Sequence, residues 1–360
     1  MWQCAETLRK LGPCRIISAA RKSVGAGWTP EIVNQLRANG YEVALREDDY
    51  PYPTLKMSLG LIWGAFFKSI GEHRAFGHAN PYHRWAYPRK WWKKQTSDID
   101  LAVITYSFWA YLPTPCPKAL LLLDLWSNTT WSDRLREAKD IAGCDGVLVI
   151  SKEEELYLNN RNIEHTYWSP PAVPRCDLPH PAMAGIIGSE SSFNREGLKW
   201  LISCKTRQIP RIRVYGGLAK YAKHDMLDSI GAYTDDQQPY RECGIILMAT
   251  TLGMGVQIKT IEALAAGRAI IARRGAMRGI PPGEGAWLEV DSPEDMLKTA
   301  HALLLDTAAR EALGMRAHEY YERHLNHEKI LANMSAVFTA LAGRCGSAQQ
   351  LGPRVSAINI

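Results

Sequence analysis

Apolar positions along this chain fall into short continuous runs, separated by stretches where they recur every three or four residues. The first pattern predicts a strand buried on both faces, and the second a helix lying against it. Cys14–Ala20 (CRIISAA) is the first such run, and a polar, glycine-bearing loop follows from Arg21 to Trp28. Thr29 then stands where an N-cap belongs, with Pro30 at the first helical position. Ile32, Val33 and Leu36 share one helix face before Asn39-Gly40 stops it. Tyr41–Leu45, Leu101–Thr105, Ala119–Asp124 and Gly146–Ile150 read as further strands, and Ser151 caps a helix through Leu158.

Between Ser169 and Pro181 (SPPAVPRCDLPHP) the periodicity disappears. Proline fixes φ and removes a donor, so this stretch predicts a linker. A second strand–helix series follows, with strands at Ala184–Gly188, Arg211–Tyr215, Gly244–Met248 and Arg268–Ala272. Helices are predicted over Asn194–Ser203 and Val256–Ala266. From Ser292 to Ala342 the pattern is mostly helical, and beyond Gly343 no packing face is visible. Alternation of this kind predicts parallel sheets covered by helices, here twice over. The expected division is a domain over 1–172, a second over 173–325, a returning helix over 326–342 and a loose tail over 343–360.

Composition narrows the class only a little. A length of 360 residues suits two medium domains, and 46% hydrophobic with 22% charged residues is ordinary for a globular protein. No apolar run approaches the roughly 20 residues a membrane-spanning helix needs. Met1-Trp2-Gln3-Cys4 opens no basic region followed by an apolar core, so no secretory signal is expected. Eight cysteines without a C-x-x-C pair predict reduced thiols and a cytoplasmic setting rather than zinc or disulfides. The formal charge of +6 fits nucleotides, a membrane surface or nucleic acid, and selects none of them.

The densest chemical signal is Thr251-Leu-Gly-Met-Gly-Val-Gln-Ile-Lys-Thr-Ile-Glu-Ala-Leu-Ala-Ala-Gly267. An apolar strand runs into a loop holding Gly253, Met254, Gly255 and Val256, and a helix begins. Glycines admit a ligand close to the backbone, and a helix N-terminus favours anions. Lys259 falls in the first turn, where an ammonium reaches a diphosphate, and Glu262 lies three residues on, on the same face. A carboxylate there suits a pair of sugar hydroxyls. The same spacing also suits ordinary α/β packing with a solvated Lys–Glu pair.

Tyr240–Gly279 (YRECGIILMATTLGMGVQIKTIEALAAGRAIIARRGAMRG) resembles the donor-binding signature of glycosyltransferase family 4. Gly185–Gly188 followed by Phe193–Trp200 resembles the first strand and helix of that family's donor domain, and Cys144–Ser151 a late strand of its acceptor domain. Asp291–Asp295 resembles the opening of its C-terminal helices. The resemblance implies a GT-B fold: two facing Rossmann-like domains with a C-terminal helix crossing back to the first. It implies a nucleotide-diphosphate sugar as co-substrate, no cofactor and retention at the anomeric carbon. Lys259 is then assigned to the diphosphate and Glu262 to the ribose, with Arg195 a second phosphate contact. The Gly253–Val256 backbone borders the transferred sugar, and the Gly25–Gly27 loop is expected to face this donor site from the opposite domain. Many relatives carry a glutamate where Met254 stands, so this chain departs from the family in how it reads the sugar.

No D-x-D follows a strand as a metal site should, since Asp98-Ile-Asp100 precedes one, and no metal is expected. Asp124, at the carboxyl edge of a strand, suits either acceptor activation or loop capping. Tyr82–Lys94 (YHRWAYPRKWWKK) concentrates cations and aromatics, among them Arg89, Lys90, Trp91, Trp92, Lys93 and Lys94. Such a stretch suits an anionic membrane face bearing a lipid-linked acceptor, nucleic acid, or saccharide stacking. A solvated loop is the plain alternative, and the acceptor and oligomeric state stay open. Two rival functions remain. Gly25 and Gly27, with Glu47 or Asp48, sketch a dinucleotide fingerprint that lacks its third glycine. Residues 82–94 alone would fit a nucleic-acid-binding protein.

Overall fold

The computed structural model describes residues 15–18, 42–45, 101–105, 107, 110–111, 113–122, 125, 131–204, 210–253, 255–346 and 356–358. The chain divides into two compact units: Met1–Ile150 with Glu154–Ser169 and Leu331–Ile360, and Ser151–Glu153 with Pro170–Ile330.

In the first unit, strands β1 (Arg15–Ser18) and β2 (Glu42–Leu45) pair in parallel. A separate parallel sheet holds β3 (Ala102–Thr105), β4 (Lys118–Leu122), β5 (Gly146–Val149) and β6 (Thr166–Trp168) in that order. Helix α1 (Trp131–Ala142) joins β4 to β5, and α2 (Lys152–Asn159) joins β5 to β6. Alternate strand residues Ala102 and Ile104, Leu120 and Leu122, Val147 and Val149 enter one buried cluster, which is why these runs read as strands.

The second unit is one six-stranded parallel sheet. Its strands are β7 (Ala184–Ile187), β8 (Ile212–Tyr215), β9 (Leu227–Gly231), β10 (Ile245–Met248), β11 (Ala269–Arg273) and β12 (Leu288–Val290). They lie in the order β12-β11-β10-β7-β8-β9. Helices α3 (Ser192–Ile202), α4 (Gln238–Glu242), α5 (Ile258–Ala265) and α6 (Pro293–Leu305) connect or cover them, followed by α7 (Thr307–His324) and α8 (His327–Gly346). The chain starts the sheet at β7, grows outward to β9, then restarts beside β7 at β10. This reversal leaves a crevice at the carboxyl ends of β7 and β10, where sheets of this kind bind ligands. Ile245, Ile246, Leu247 and Met248 are all buried, as a strand covered on both faces requires.

Helix starts follow their capping residues. The Ser191 hydroxyl accepts from the Asn194 N–H, Ser292 from Asp295, and Asp306 from Ala309. The irregular stretch 169–183 is held to the second unit by fully buried Arg268, which donates to the carbonyls of Leu178, Pro179, Tyr240 and Ala266. Buried Arg310 donates to the His180 carbonyl at 3.5 Å. From Leu331 onward α8 belongs to the first unit, where Leu341 occupies the space a side chain at Gly146 would need. Helix α8 runs to Gly346, and β13 (Ser356–Ile358) pairs in parallel with β3. Among the described residues, no helix is long and apolar enough to cross a membrane.

Candidate functional site

The crevice at β7 and β10 is built from three segments of the second unit. The first is the turn after β7, Gly188 to Ser191, which leads into α3. Gly216, after β8, comes so close that a Cβ on it would lie 2.5 Å from the Gly188 carbonyl oxygen, and its φ of +78° suits glycine. The Leu218 N–H closes the contact by donating to the Gly188 carbonyl at 3.0 Å.

The second segment is the loop from Ala249 to Gln257 after β10. The Gln257 amide, at the N-cap of α5, donates to the Thr250 carbonyl at 3.0 Å and the Ala276 carbonyl at 2.9 Å. This fold-back explains why α5 begins at Ile258 and not at Val256. Gly253 has φ +110°, and a side chain there would strike the Arg278 guanidinium. Arg278, from the third segment after β11, donates to the carbonyls of Thr250 at 3.3 Å and Leu252 at 2.9 Å. Gly255 is buried at φ +63°, and Val256 is buried against Gly279.

Lys259, in the first turn of α5, crosses the crevice. Its Nζ donates to the Ile187 carbonyl at 2.7 Å and to Asn194 Oδ1 at 3.1 Å. The third N–H of the ammonium has no partner among the described residues. Burial first and the neighbouring Arg278 charge second lower the Lys259 pKa, Glu262 opposes both, and the net value is about 8. A group with this balance gains most from an anion.

Glu262 lies one turn further along α5. The buried Tyr240 hydroxyl donates to its Oε2 at 2.6 Å and reaches the Lys259 carbonyl at 3.4 Å. Burial raises the Glu262 carboxyl, the Tyr240 hydrogen bond lowers it, Asp236 raises it and Lys259 lowers it, with a net upward shift. Arg195, on α3, holds its guanidinium over the Tyr221 ring, 5.1 Å from the centroid. Next to it Glu190 accepts from Lys220 at 2.7 Å and from the Tyr221 hydroxyl at 3.2 Å.

The structure thus brings Lys259, Glu262, Gly253, Gly255 and Val256 to one sheet edge, with Arg195 on the adjoining helix. Met254, Asp124, Gly25, Gly27, Arg89, Lys90, Trp91, Trp92, Lys93 and Lys94 lie outside the described residues. Next to Asp124, the Leu125 N–H donates to buried Glu154 at 3.2 Å. Sequence reasoning missed Asn194, Thr250, Tyr240 and Arg278. Asn194 and Tyr240 stand inside the family-like stretches, yet a polar residue beside an N-cap carries no sign of its partner 65 positions away. Among the described residues no cluster of three His, Cys, Asp or Glu could hold a metal ion.

No protein-family model matches the chain, and no curated protein matches it by sequence. Solved structures do match by shape. HepE of Anabaena in complex with UDP-glucose aligns with a TM-score of 0.65 and 11% identity, over 94% of this chain and 94% of that one. Sucrose-phosphate synthase of Thermosynechococcus elongatus aligns at 0.61 and 14%, over 92% of this chain and 100% of that one. TarM aligns at 0.55 and 14% over 69% of this chain, which spans 57% of TarM. Together with the two parallel-sheet units, these likenesses show that the chain has the two-domain, Rossmann-like GT-B fold.

Proposed function

We propose that this protein is a glycosyltransferase of the family 4 type, moving a hexosyl or related sugar from a nucleotide-diphosphate donor to an acceptor hydroxyl. The observation that carries the reading is Lys259, an ammonium fixed by two neutral acceptors at the switch point, with one N–H left for an anion. UDP-sugars are the first donors to try, because HepE binds UDP-glucose in the same fold. In the reaction the anomeric C–O bond to the diphosphate breaks and its electron pair stays on the departing phosphate oxygen. The acceptor oxygen forms the new bond to that carbon, and its proton passes to a base, the role proposed for Asp124.

Lys259 and the N-terminus of α5 stabilise the charge that grows on the leaving diphosphate, with Arg195 as a second cation. That division of labour needs no metal. Glu262, steadied by Tyr240, accepts the ribose hydroxyls, and the Gly253–Val256 backbone borders the sugar, which is transferred with retention. The first unit supplies the acceptor side through Asp124, while its Gly25–Gly27 loop serves donor binding. The acceptor is a saccharide, a lipid-linked glycan or nucleic acid, met in the cytoplasm or at the inner membrane face. A hydrolysis screen over UDP-, GDP-, ADP- and dTDP-sugars, with and without EDTA, tests the reading. Nucleotide release from one donor, undiminished by EDTA, is the expected result. No release from any donor overturns the activity, and release that EDTA abolishes and Mg²⁺ restores overturns the metal-free step.

A further inference from the structure

The geometry points to Asn194 as the positioning residue that aims the Lys259 ammonium at the donor diphosphate while leaving its charge unspent. The inference rests on the donor-site reading above and adds to it a residue that acts through its contact with Lys259.

Asn194 spends both ends of its amide within the crevice. Oδ1 accepts from Lys259 Nζ at 3.1 Å and from the Thr250 hydroxyl at 3.2 Å. Nδ2 donates to the Ser189 carbonyl at 3.2 Å and to the Ser189 hydroxyl at 3.1 Å. The Ser189 carbonyl only accepts and the ammonium only donates, so the amide has one satisfactory orientation. Its backbone N–H donates to Ser191 Oγ at 3.2 Å, which ties the residue to the N-cap of α3. Gly188 makes the room, since a Cβ there would sit 2.9 Å from the Asn194 side chain. One side chain therefore joins the turn after β7, the loop after β10 and the first turn of α5.

The residue type matters as much as the place. A partly buried ammonium needs acceptors, and a carboxylate would be the stronger one. An aspartate at 194 would, however, neutralise Lys259 in advance and cancel part of its pull on a diphosphate. An amide dipole and the Ile187 carbonyl orient the ammonium without cancelling its charge. The charged groups acting on Lys259 are Arg278, from the loop after β11, and Glu262, on α5 itself. Neither makes one of its two hydrogen bonds.

The test is binding of UDP to the full chain by calorimetry, for wild type and for Asn194→Asp, Asn194→Ala and Lys259→Ala, from pH 6.5 to 9.5. Far-UV circular dichroism and thermal midpoints accompany each variant. Asn194→Asp should bind UDP at least tenfold more weakly at pH 7.5. The pH above which affinity falls should also move upward from near 8, because a carboxylate beside Lys259 holds its proton longer. Asn194→Ala should weaken binding with no upward movement of that pH, which keeps the proposal testable if the aspartate variant misfolds. A merely structural role would not move the profile. Wild-type affinity and profile in a folded Asn194→Asp, with binding lost in Lys259→Ala, overturn the role of Asn194 and leave the donor site standing. Wild-type affinity in Lys259→Ala overturns the donor site itself.

Discussion

Lys259 is a cation in a place that disfavours cations. Burial and Arg278 bring its pKa down to about 8, and the two hydrogen bonds that hold it come from uncharged acceptors. A diphosphate is the counter-charge such a group lacks. Removing the ammonium should cost the transition state more than the ground state, because negative charge on the leaving group grows as the glycosidic bond breaks. Lys259→Ala should lower turnover at least tenfold, about 1.4 kcal/mol, while the thermal midpoint stays near wild type. Unchanged turnover in the folded variant would remove Lys259 from the site. The sign of the pH dependence follows from the same balance. Without ligand the lysine loses its proton near pH 8, and a bound diphosphate raises that pKa. Above pH 8 the complex therefore holds more protons than the free protein, so UDP affinity should fall as pH rises through 8 and beyond. Below pH 8 the lysine is charged in both states and contributes no slope. An affinity flat from pH 7 to 9.5 would contradict the assignment.

At the scale of elements, close backbone approaches carry much of the specificity of packing. Gly314 in α7 lies over the turn that ends α5, and a Cβ on it would stand 2.3 Å from the Gly267 carbonyl oxygen. Alanine favours a helix over glycine by about 1 kcal/mol. The clash is with backbone, which cannot rotate away, so α7 must shift, and overpacking of this kind costs about 1–3 kcal/mol. Gly314→Ala should lower the thermal midpoint, and a raised midpoint would show that α7 yields freely. Most of this architecture is legible in the sequence because central parallel strands are covered on both faces and read as unbroken apolar runs, as at Ile245–Met248. Edge strands escape that rule. In β9, Leu227–Gly231, only Leu227 is buried, and β12 buries only Val290 of its three residues. Helix α1, with the sequence WSDRLREAKDIA, sets few apolar residues among charges, and β13 has only three residues. In the site, Lys259 and Glu262 were visible because a glycine loop and a helix start sit beside them in the chain. Asn194 and Tyr240 meet them across 65 and 22 positions, contacts that only the fold creates.

At the scale of the molecule, the proposed donor site lies in the second unit, whereas the most cationic stretch of sequence belongs to the first. Tyr82–Lys94 holds five lysines and arginines and five aromatics, with no acid between Glu72 and Asp98. In a two-domain transferase the unit without the donor signature serves the acceptor, so this stretch is proposed to meet an anionic acceptor or the membrane that carries it. Each lysine or arginine near an anionic surface adds on the order of 1 kcal/mol at low salt, and that attraction is screened as salt rises. Replacing Arg89, Lys90, Lys93 and Lys94 by alanine should weaken association with anionic vesicles and flatten its salt dependence. Hydrolysis of the donor without acceptor should stay near wild type, because the proposed donor site is made of second-unit residues and none of the four is assigned to it. Co-sedimentation with vesicles of anionic phospholipid across a salt series, beside a nucleotide-release assay, separates the outcomes. Equal sedimentation of both proteins would reduce the segment to a solvated loop. Lost sedimentation on vesicles matched by lost binding to an oligonucleotide would mark it as a general anion-binding surface. Lost nucleotide release would bring these cations into the donor reaction, and the division of labour between the two units would then have to be redrawn.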